Sequence, residues 1–390
     1  MKILITSEWY RPVVNGVVRS ILNLKKQLIK MGHEVKVLTM SPMFRSYKSG
    51  DVYYIASLSF NRFYPEARQA GIAGIPLIRE LIRWKPDVIH SQTEFSSFFY
   101  ARFIQKRTNA AHVHTYHTIY EDYTHYFSPS KRVGKFEAAI FTKKVLSKIS
   151  KVITPTKKTK ALLEDYGVKP EIVVVPTGLE LEKFKKKLTA SERTDKKDKL
   201  NIGEEKIVAI FLGRLAKEKN FEEVFSLIKN EKDIVFLIVG DGPYRDHLEK
   251  LSVKMQMDDR VVFTGMVVPE EVVDYYKIAD FFVSASMSET QGLTYIEALA
   301  SGLPVIARKD PCLEGVVKDG TNGFLYETDT EFYDKLNRFK SDQDLRNQMS
   351  KEAVKASWKF SAQNFAKAVF SVYEKAVIHN RKNMSKRNKK

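Results

Sequence analysis

Cysteine is nearly absent: Cys312 is the only one in 390 residues. That excludes an intramolecular disulfide framework and any multi-cysteine zinc site, and it fits a reducing compartment. No apolar run approaches the roughly 18 residues that a spanning helix needs. The N-terminus, MKILITSEWY, lacks a long apolar stretch and brings in Glu8 early, so it does not read as a secretion signal. A GxGxxG fingerprint is missing too. The loop WYRPVVNGVVRS (9–20) offers one glycine, Gly16, which is weak evidence for a phosphate-binding turn. There is no repeat of solenoid length and no low-complexity tract before the last dozen residues.

What is present is a folded composition, 43% hydrophobic and 29% charged, in a chain long enough for two domains. The net charge of +18 is unevenly spread. Residues 1–175 carry 28 Lys/Arg against 13 Asp/Glu, whereas 176–378 carry 31 against 34. The tail HNRKNMSKRNKK (379–390) adds six basic residues and no acid. Such asymmetry predicts a polyanionic partner, either nucleic acid or an anionic membrane surface. A solvated, disordered end is the plain alternative for the tail.

Short apolar runs alternate with helical patterns. KILIT (2–6), EVKVLTM (34–40), DVIHS (87–91), AHVHTYH (111–117), KVITPT (151–156) and EIVVVPT (171–177) read as buried strands. KFKKKLTASERTDKKDKLNIGEEK (183–206) is polar and predicts a linker or surface excursion. Alternation then restarts with KIVAIFLGRL, DIVFLIVGDG, RVVFTG, ADFFVSAS and LPVIAR. The pattern predicts an α/β protein of two Rossmann-like domains with a cleft between them, 1–180 and 181–361, and a last amphipathic helix from about 362.

Four stretches carry chemistry. In SMSETQGLTYIEALASGLPV (286–305), Glu289 precedes a loop containing Gly292, and a helix is expected to start near Leu293 or Thr294 and stop at Gly302. Free N–H groups at its start form an anion site, with Glu297 about one turn in. Two carboxylates eight residues apart then bracket a phosphate-sized space, which suits a sugar–diphosphate–ribose ligand. The bland alternative is a surface helix with two solvated glutamates. In GRLAKEKN (213–220), Arg214 and Lys219 follow a strand, where two cations can hold a diphosphate. The Gly16 loop is the third stretch. In HVHTYHTIYEDYTHY (112–126), His114 and His117 end a strand. Their spacing with Glu121 and Asp122 fits no standard zinc pattern, so one histidine contacting a ligand is the favoured reading.

Together these stretches, with VGDGP (239–243), resemble the retaining glycosyltransferases of the GT-B architecture that carry an E-x7-E signature (family 4), here Glu289 to Glu297. TEFS, HTIYEDYTHY and ETQGLTYIEALASGLPV look most like the bacterial lipid enzymes that move glucose from UDP-glucose to diacylglycerol. The resemblance implies roles. Arg214 and Lys219 would bind the diphosphate and stabilise departing UDP; Glu289 would contact sugar hydroxyls; Glu297 would hold the ribose. Gln291, Gly292, Leu293 and Thr294 would offer backbone N–H groups, Gly16 would let its loop close over the diphosphate, and His117 would bind the sugar. Many members have Phe where this chain has Gln291. No cofactor or metal is required on this reading; magnesium is compatible but not implied.

A lipid acceptor implies a cytoplasmic protein, peripheral on the inner face of the cell membrane. IPLIRELIRWK (75–85) reads as a helix packed on the sheet, because PDVIH follows at once. KRVGKFEAAIFTKKVLSKISK (131–151) is the candidate membrane contact, through Lys131, Arg132, Lys135, Lys143, Lys144 and Lys148 around Val133, Phe136, Ile140 and Val145. Other acceptors (a soluble sugar, a polyprenyl lipid, a cell-wall polymer) and UDP-galactose remain alternatives. A basic nucleic-acid-binding protein with a degenerate Rossmann core is the remote alternative; no nucleic acid is expected as a partner, because the basic half shows no recognised nucleic-acid motif and ETQGLTYIEALASG would have no job there.

Overall fold

The computed structural model describes residues 1–387 apart from Val14, 60–67, 71–73 and 122–129. Two compact units result: Met1–Leu179 with Ala362–Lys390, and Glu180–Ser361.

In the first unit the strands are β1 (Lys2–Ser7), β2 (Glu34–Met40), β3 (Tyr47–Ser49), β4 (Val52–Ile55), β5 (Ser57–Ser59), β6 (Arg68–Ala70), β7 (Val88–Ser91), β8 (Ala111–Thr115), β9 (Lys151–Thr154) and β10 (Ile172–Val174). Between them run α1 (Gly16–Lys30), α2 (Ile75–Trp84), α3 (Ser96–Thr108), α4 (Lys131–Leu146) and α5 (Lys157–Asp165). Eight strands make one sheet in the order β10-β9-β8-β7-β1-β2-β4-β3, parallel except for β3. Continuous apolar stretches such as Ile3–Ile5 are buried on both faces, as a parallel sheet requires. The strand order reverses at β1, which has β7 on one side and β2 on the other. Ligands of open α/β sheets bind beyond the carboxyl ends of strands at such a point.

The second unit contains β11 (Ile207–Leu212), β12 (Ile234–Val239), β13 (Val261–Gly265), β14 (Phe281–Ser284), β15 (Val305–Arg308) and β16 (Gly323–Tyr326), in the order β13-β12-β11-β14-β15-β16. Its helices are α6 (Ala190–Lys199), α7 (Phe221–Ile228), α8 (Arg245–Lys254), α9 (Val272–Ile278), α10 (Leu293–Ala300), α11 (Asp329–Ser341) and α12 (Gln343–Ser357). The reversal here lies at β11, between β12 and β14. Finally α13 (Ala362–Arg387) returns to the first unit, where Phe365, Val369, Val372 and Tyr373 pack with Ile3, Ile21 and Leu24.

Three differences from the sequence reading have local causes. Residues 183–206 are not a linker. Thr189 and Glu192 form a reciprocal capping box that starts α6, and Phe184 and Ile202 are buried on either side of it. Strands β3 and β4 went unread because YKS and VYYI are short and lack clean alternation. Strand β16, GFLY, was hidden among turn residues; a Cβ at Gly323 would lie 2.2 Å from the carbonyl oxygen of Val305, so close pairing with β15 demands glycine. Helix α2 lies on the sheet through Ile78 and Leu81, as its sequence context predicts.

Candidate active site

In the second unit, the loops after β11 and β12 meet through glycines. A Cβ on Gly240 would stand 2.0 Å from the Gly213 carbonyl oxygen, and one on Gly242 would stand 2.2 Å from that of Leu215. VGDGP therefore presses directly against GRL, which fixes the chain just before Arg214. The loop after β11 is also joined to the loop after β14. The Ser288 hydroxyl donates to the Glu218 carbonyl (3.2 Å), and the Asn220 amide donates to the Glu223 carboxylate (2.7 Å) and the Ala285 carbonyl (3.4 Å). Across this seam Lys219 Nζ donates to Glu289 Oε1 at 2.5 Å, with both side chains mostly buried. Arg214 is exposed and has no hydrogen-bond or ion-pair partner among the described residues.

Helix α10 begins on Gly292, whose φ of +69° is left-handed. A Cβ there would meet the Tyr295 ring at 2.5 Å, so conformation and space both require glycine. No side chain caps this terminus. The Tyr295 N–H turns back to the Gly292 carbonyl (3.1 Å), whereas those of Leu293 and Thr294, at the very start of the helix, have no intrahelical acceptor and are available to an anion. Tyr295 is fully buried and donates to Ser284 Oγ (2.8 Å), which anchors the helix start to the end of β14. Burial, with Glu289 nearby as a lesser cause, holds its phenol well above the usual range, so the group stays a donor.

Glu297 is completely buried, and the Tyr276 hydroxyl donates to its Oε2 at 3.3 Å. Helix α10 is therefore not the surface helix with two solvated glutamates that the sequence also allowed. Gln291 is buried, whereas Leu293 and Thr294 are half-buried at the helix start.

In the first unit, the carboxyl ends of β1, β7 and β8 carry a buried polar cluster. Glu94 accepts from the Tyr120 hydroxyl (2.6 Å) and lies 3.0 Å from His114 Nε2. Ser91 Oγ bridges His114 Nδ1 (2.8 Å) and His112 Nε2 (2.9 Å). Glu8 takes the Ser97 backbone N–H at 3.3 Å, and burial pushes its carboxyl up to about 8. His117 follows β8, is partly buried and lies 2.7 Å from Gln92 Oε1 through Nε2. Burial, helped by His114, pushes the His117 ring down to about 3, so it is neutral at ordinary pH.

Sequence reading picked out His117 here but passed over Gln92, Glu94 and Glu8. Their position just past strands was the available signal. Glu121 is occupied structurally, by the Tyr166 hydroxyl (2.8 Å) and Lys135 (2.8 Å). Asp122 lies outside the described residues. Among the described residues no group of three or more His, Cys, Asp or Glu is placed to hold a metal. Gly16 opens α1 directly after the cap Asn15, whose side chain accepts from Val18 N–H at 2.9 Å. Its φ is not left-handed.

On α4, Ala138, Thr142 and Leu146 face the core, while Val133, Phe136 and Ile140 are exposed. Arg132, Lys135, Lys143, Lys144 and Lys148 are exposed around them. The side chain of Lys131 lies outside the described residues. Among the described residues no helix is long and apolar enough to cross a membrane.

Comparison with known proteins assigns the family. "Glycosyl transferases group 1" matches residues 192–356 and "Glycosyltransferase Family 4" matches 14–183. An alpha-monoglucosyldiacylglycerol synthase of Streptococcus pneumoniae is 35% identical over 97% of this chain and 87% of that protein. One of Acholeplasma laidlawii is 33% identical over 99% of this chain and 100% of its own length. The chain belongs to glycosyltransferase family 4. This family 4 member is a hexosyltransferase with the GT-B fold. Its backbone matches sucrose-phosphate synthase of Thermosynechococcus elongatus with TM-score 0.75 at 20% identity, covering 96% of this chain and 98% of that one. An Anabaena HepE protein solved with UDP and glucose gives 0.74 at 17%, covering 96% and 100%.

Proposed function

We propose that this protein transfers glucose from UDP-glucose to 1,2-diacylglycerol with retention, giving α-monoglucosyldiacylglycerol at an anionic membrane surface. The observation that carries the donor half is the Lys219–Glu289 contact beside exposed Arg214 and the uncapped start of α10. It gathers a carboxylate for sugar hydroxyls, two cations and backbone N–H groups at the switch point of one sheet.

The leaving group is a diphosphate, so the barrier lies in charge building on its bridging oxygen. Arg214 and the N–H groups from Gln291 to Thr294 meet that charge from fixed positions, and Lys219 joins them as it turns from Glu289. The anomeric carbon becomes oxocarbenium-like as the bond to phosphate breaks. The acceptor hydroxyl attacks from the same face, and the departing phosphate oxygen takes its proton. Glu289 orients the sugar, Glu297 takes the ribose hydroxyls once the Tyr276 contact yields, and His117 accepts from a sugar hydroxyl. The two cations supply the charge that a metal would otherwise give, so the reading requires none.

The acceptor half rests on the names of the two full-length relatives and on unit 1. The exposed Val133, Phe136 and Ile140 with their basic rim suit the interface of an anionic bilayer. A groove of about 790 Å³ between α2 and α3, lined by Ile75, Ile82, Phe99 and Phe103 with Arg79 and Arg107, adds apolar surface suited to a lipid. Incubation with UDP-glucose or UDP-galactose and diacylglycerol vesicles, with and without EDTA, tests the whole. Formation of the α-glucosyl lipid in EDTA supports it; transfer only to a soluble or polyprenyl acceptor overturns it.

A further inference from the structure

His117 lies at the end of a chain of contacts whose remote members have no stated role. Its Nε2 is 2.7 Å from Gln92 Oε1. The other end of that amide, Gln92 Nε2, is 3.1 Å from both ring nitrogens of His90. Equal distances place the amide over the ring face, because an in-plane approach would drive it into the carbon between the two nitrogens. The edges of His90 are already taken. Tyr373 on α13 meets Nδ1 through its hydroxyl at 2.6 Å, and Thr115 Oγ1 meets Nε2 at 2.7 Å. His90, Gln92 and Tyr373 are all buried. Burial holds the His90 ring well below the usual histidine range, so it is neutral and its face is electron-rich.

That face decides which way the Gln92 amide points. An N–H over a neutral ring is attractive, whereas a carbonyl oxygen over the same face is not. The NH2 end therefore turns to His90 and the oxygen turns to His117. Oxygen can only accept, so His117 Nε2 carries the proton and Nδ1 is left with its lone pair. His117 Nδ1 has no hydrogen-bond partner among the described residues.

We propose that Tyr373, His90 and Gln92 form a tautomer lock that presents His117 Nδ1 as a fixed hydrogen-bond acceptor for a hydroxyl of the transferred sugar. Gln92 and His90 are positioning residues; neither touches substrate. The lock rests on the proposed function for its substrate but not for its geometry. It makes His117 select a ligand that donates there. The terminal helix, last in the chain, thereby supplies the residue that holds the start of the relay.

The test is ¹⁵N NMR of histidine-labelled full-length protein, with the His117 signals identified by His117→Asn, alongside kinetics. The wild type should show protonated Nε2 and unprotonated Nδ1 at His117, unchanged from pH 5 to 8. Gln92→Leu should give mixed tautomers and lower kcat roughly tenfold to a hundredfold, with UDP affinity within about twofold of wild type. His90→Leu should likewise mix the tautomers, because it removes the aromatic face and frees the amide to flip. Gln92→Glu keeps an acceptor against Nε2, so it should retain the tautomer while raising the His117 pKa and moving the acid limb of the kcat profile upward. Protonated Nδ1 in the wild type overturns the lock, as does an unchanged tautomer in both Gln92→Leu and His90→Leu. If either variant fails to fold, the wild-type tautomer and the Gln92→Glu profile still decide. Tautomer changes without loss of kcat would remove the lock from the reaction. A lock verified by NMR in a protein inactive on diacylglycerol would sink the proposed acceptor alone.

Discussion

Lys219 and Glu289, seventy residues apart in sequence, meet at 2.5 Å between the loops that follow β11 and β14. The sequence assigns them different partners, the cation to phosphate and the carboxylate to sugar. In the structure each is the other's partner, which leaves Arg214 as the cation open at once to a diphosphate. An ammonium and a carboxylate this close orient each other before substrate arrives.

Glu289→Gln should therefore separate binding from turnover. Loss of the negative charge frees Lys219, so UDP affinity should hold or rise. Turnover should fall by about 10²–10³, the usual effect of removing a group that acts on the transition state. Isothermal titration with UDP and steady-state transfer assays read the two effects. A parallel loss of both would mean the carboxylate serves mainly to hold the loop.

Arg214→Ala and Lys219→Ala should both weaken UDP. The Arg214 change should do more, because its charge is not already engaged. A loss of roughly tenfold or more, about 1.4 kcal/mol, is expected for Arg214. Equal losses would show that the ion pair opens without cost.

Gly240→Ala places a methyl group 2.0 Å from a backbone carbonyl oxygen at a residue with φ of +131°. Backbone cannot yield as a side chain can. Destabilisation of about 1–3 kcal/mol is expected, read by urea denaturation, together with weakened UDP binding.

Acid should destabilise the first unit. Burial lowers the pKa of His90, His112 and His117, so below about pH 6.5 the unfolded chain takes up protons that the folded chain refuses. Stability should fall as pH drops from there, by about 1–2 kcal/mol per histidine near pH 5. Glu8 acts with the opposite sign. Its folded pKa of about 8 means stability is lost as pH rises from the ordinary carboxylate range to 8. Glu8→Gln should remove that alkaline slope and leave stability at pH 5 nearly unchanged. Thermal unfolding across pH, with wild type and Glu8→Gln in parallel, checks both signs.

Lys143→Glu with Lys144→Glu should release the protein from anionic vesicles while leaving UDP binding intact. Each basic residue near such a surface contributes about 1 kcal/mol, and salt should weaken wild-type binding. Phe136→Ser should weaken vesicle binding without a change in salt slope, because it removes apolar contact and no charge. Vesicle co-sedimentation at two ionic strengths distinguishes these effects; retention of full binding in both variants would move the contact away from α4.

Much of this architecture was legible in order along the chain. Apolar runs marked β1, β2 and β7 to β15 but not β3 to β6, and Gly292 with Gly302 marked both ends of α10, because strand burial and helix ends depend on neighbours in sequence. The weaker elements were not legible. GFLY forms β16 only because a glycine lets it lie against Val305, and α6 looked like a linker because its polar composition hid a capping box.

The sequence by itself determined the two α/β halves, the placing of Arg214, Lys219, Glu289 and His117 just beyond strands, and the family. Only the tertiary structure decided who partners whom. Lys219 with Glu289, Glu297 with Tyr276, and His117 with Gln92, His90 and Tyr373 are contacts across 70, 21 and up to 283 residues. Hydrogen bonds and desolvation act over a few ångströms of space, and no periodicity along a chain encodes which distant groups that space will hold.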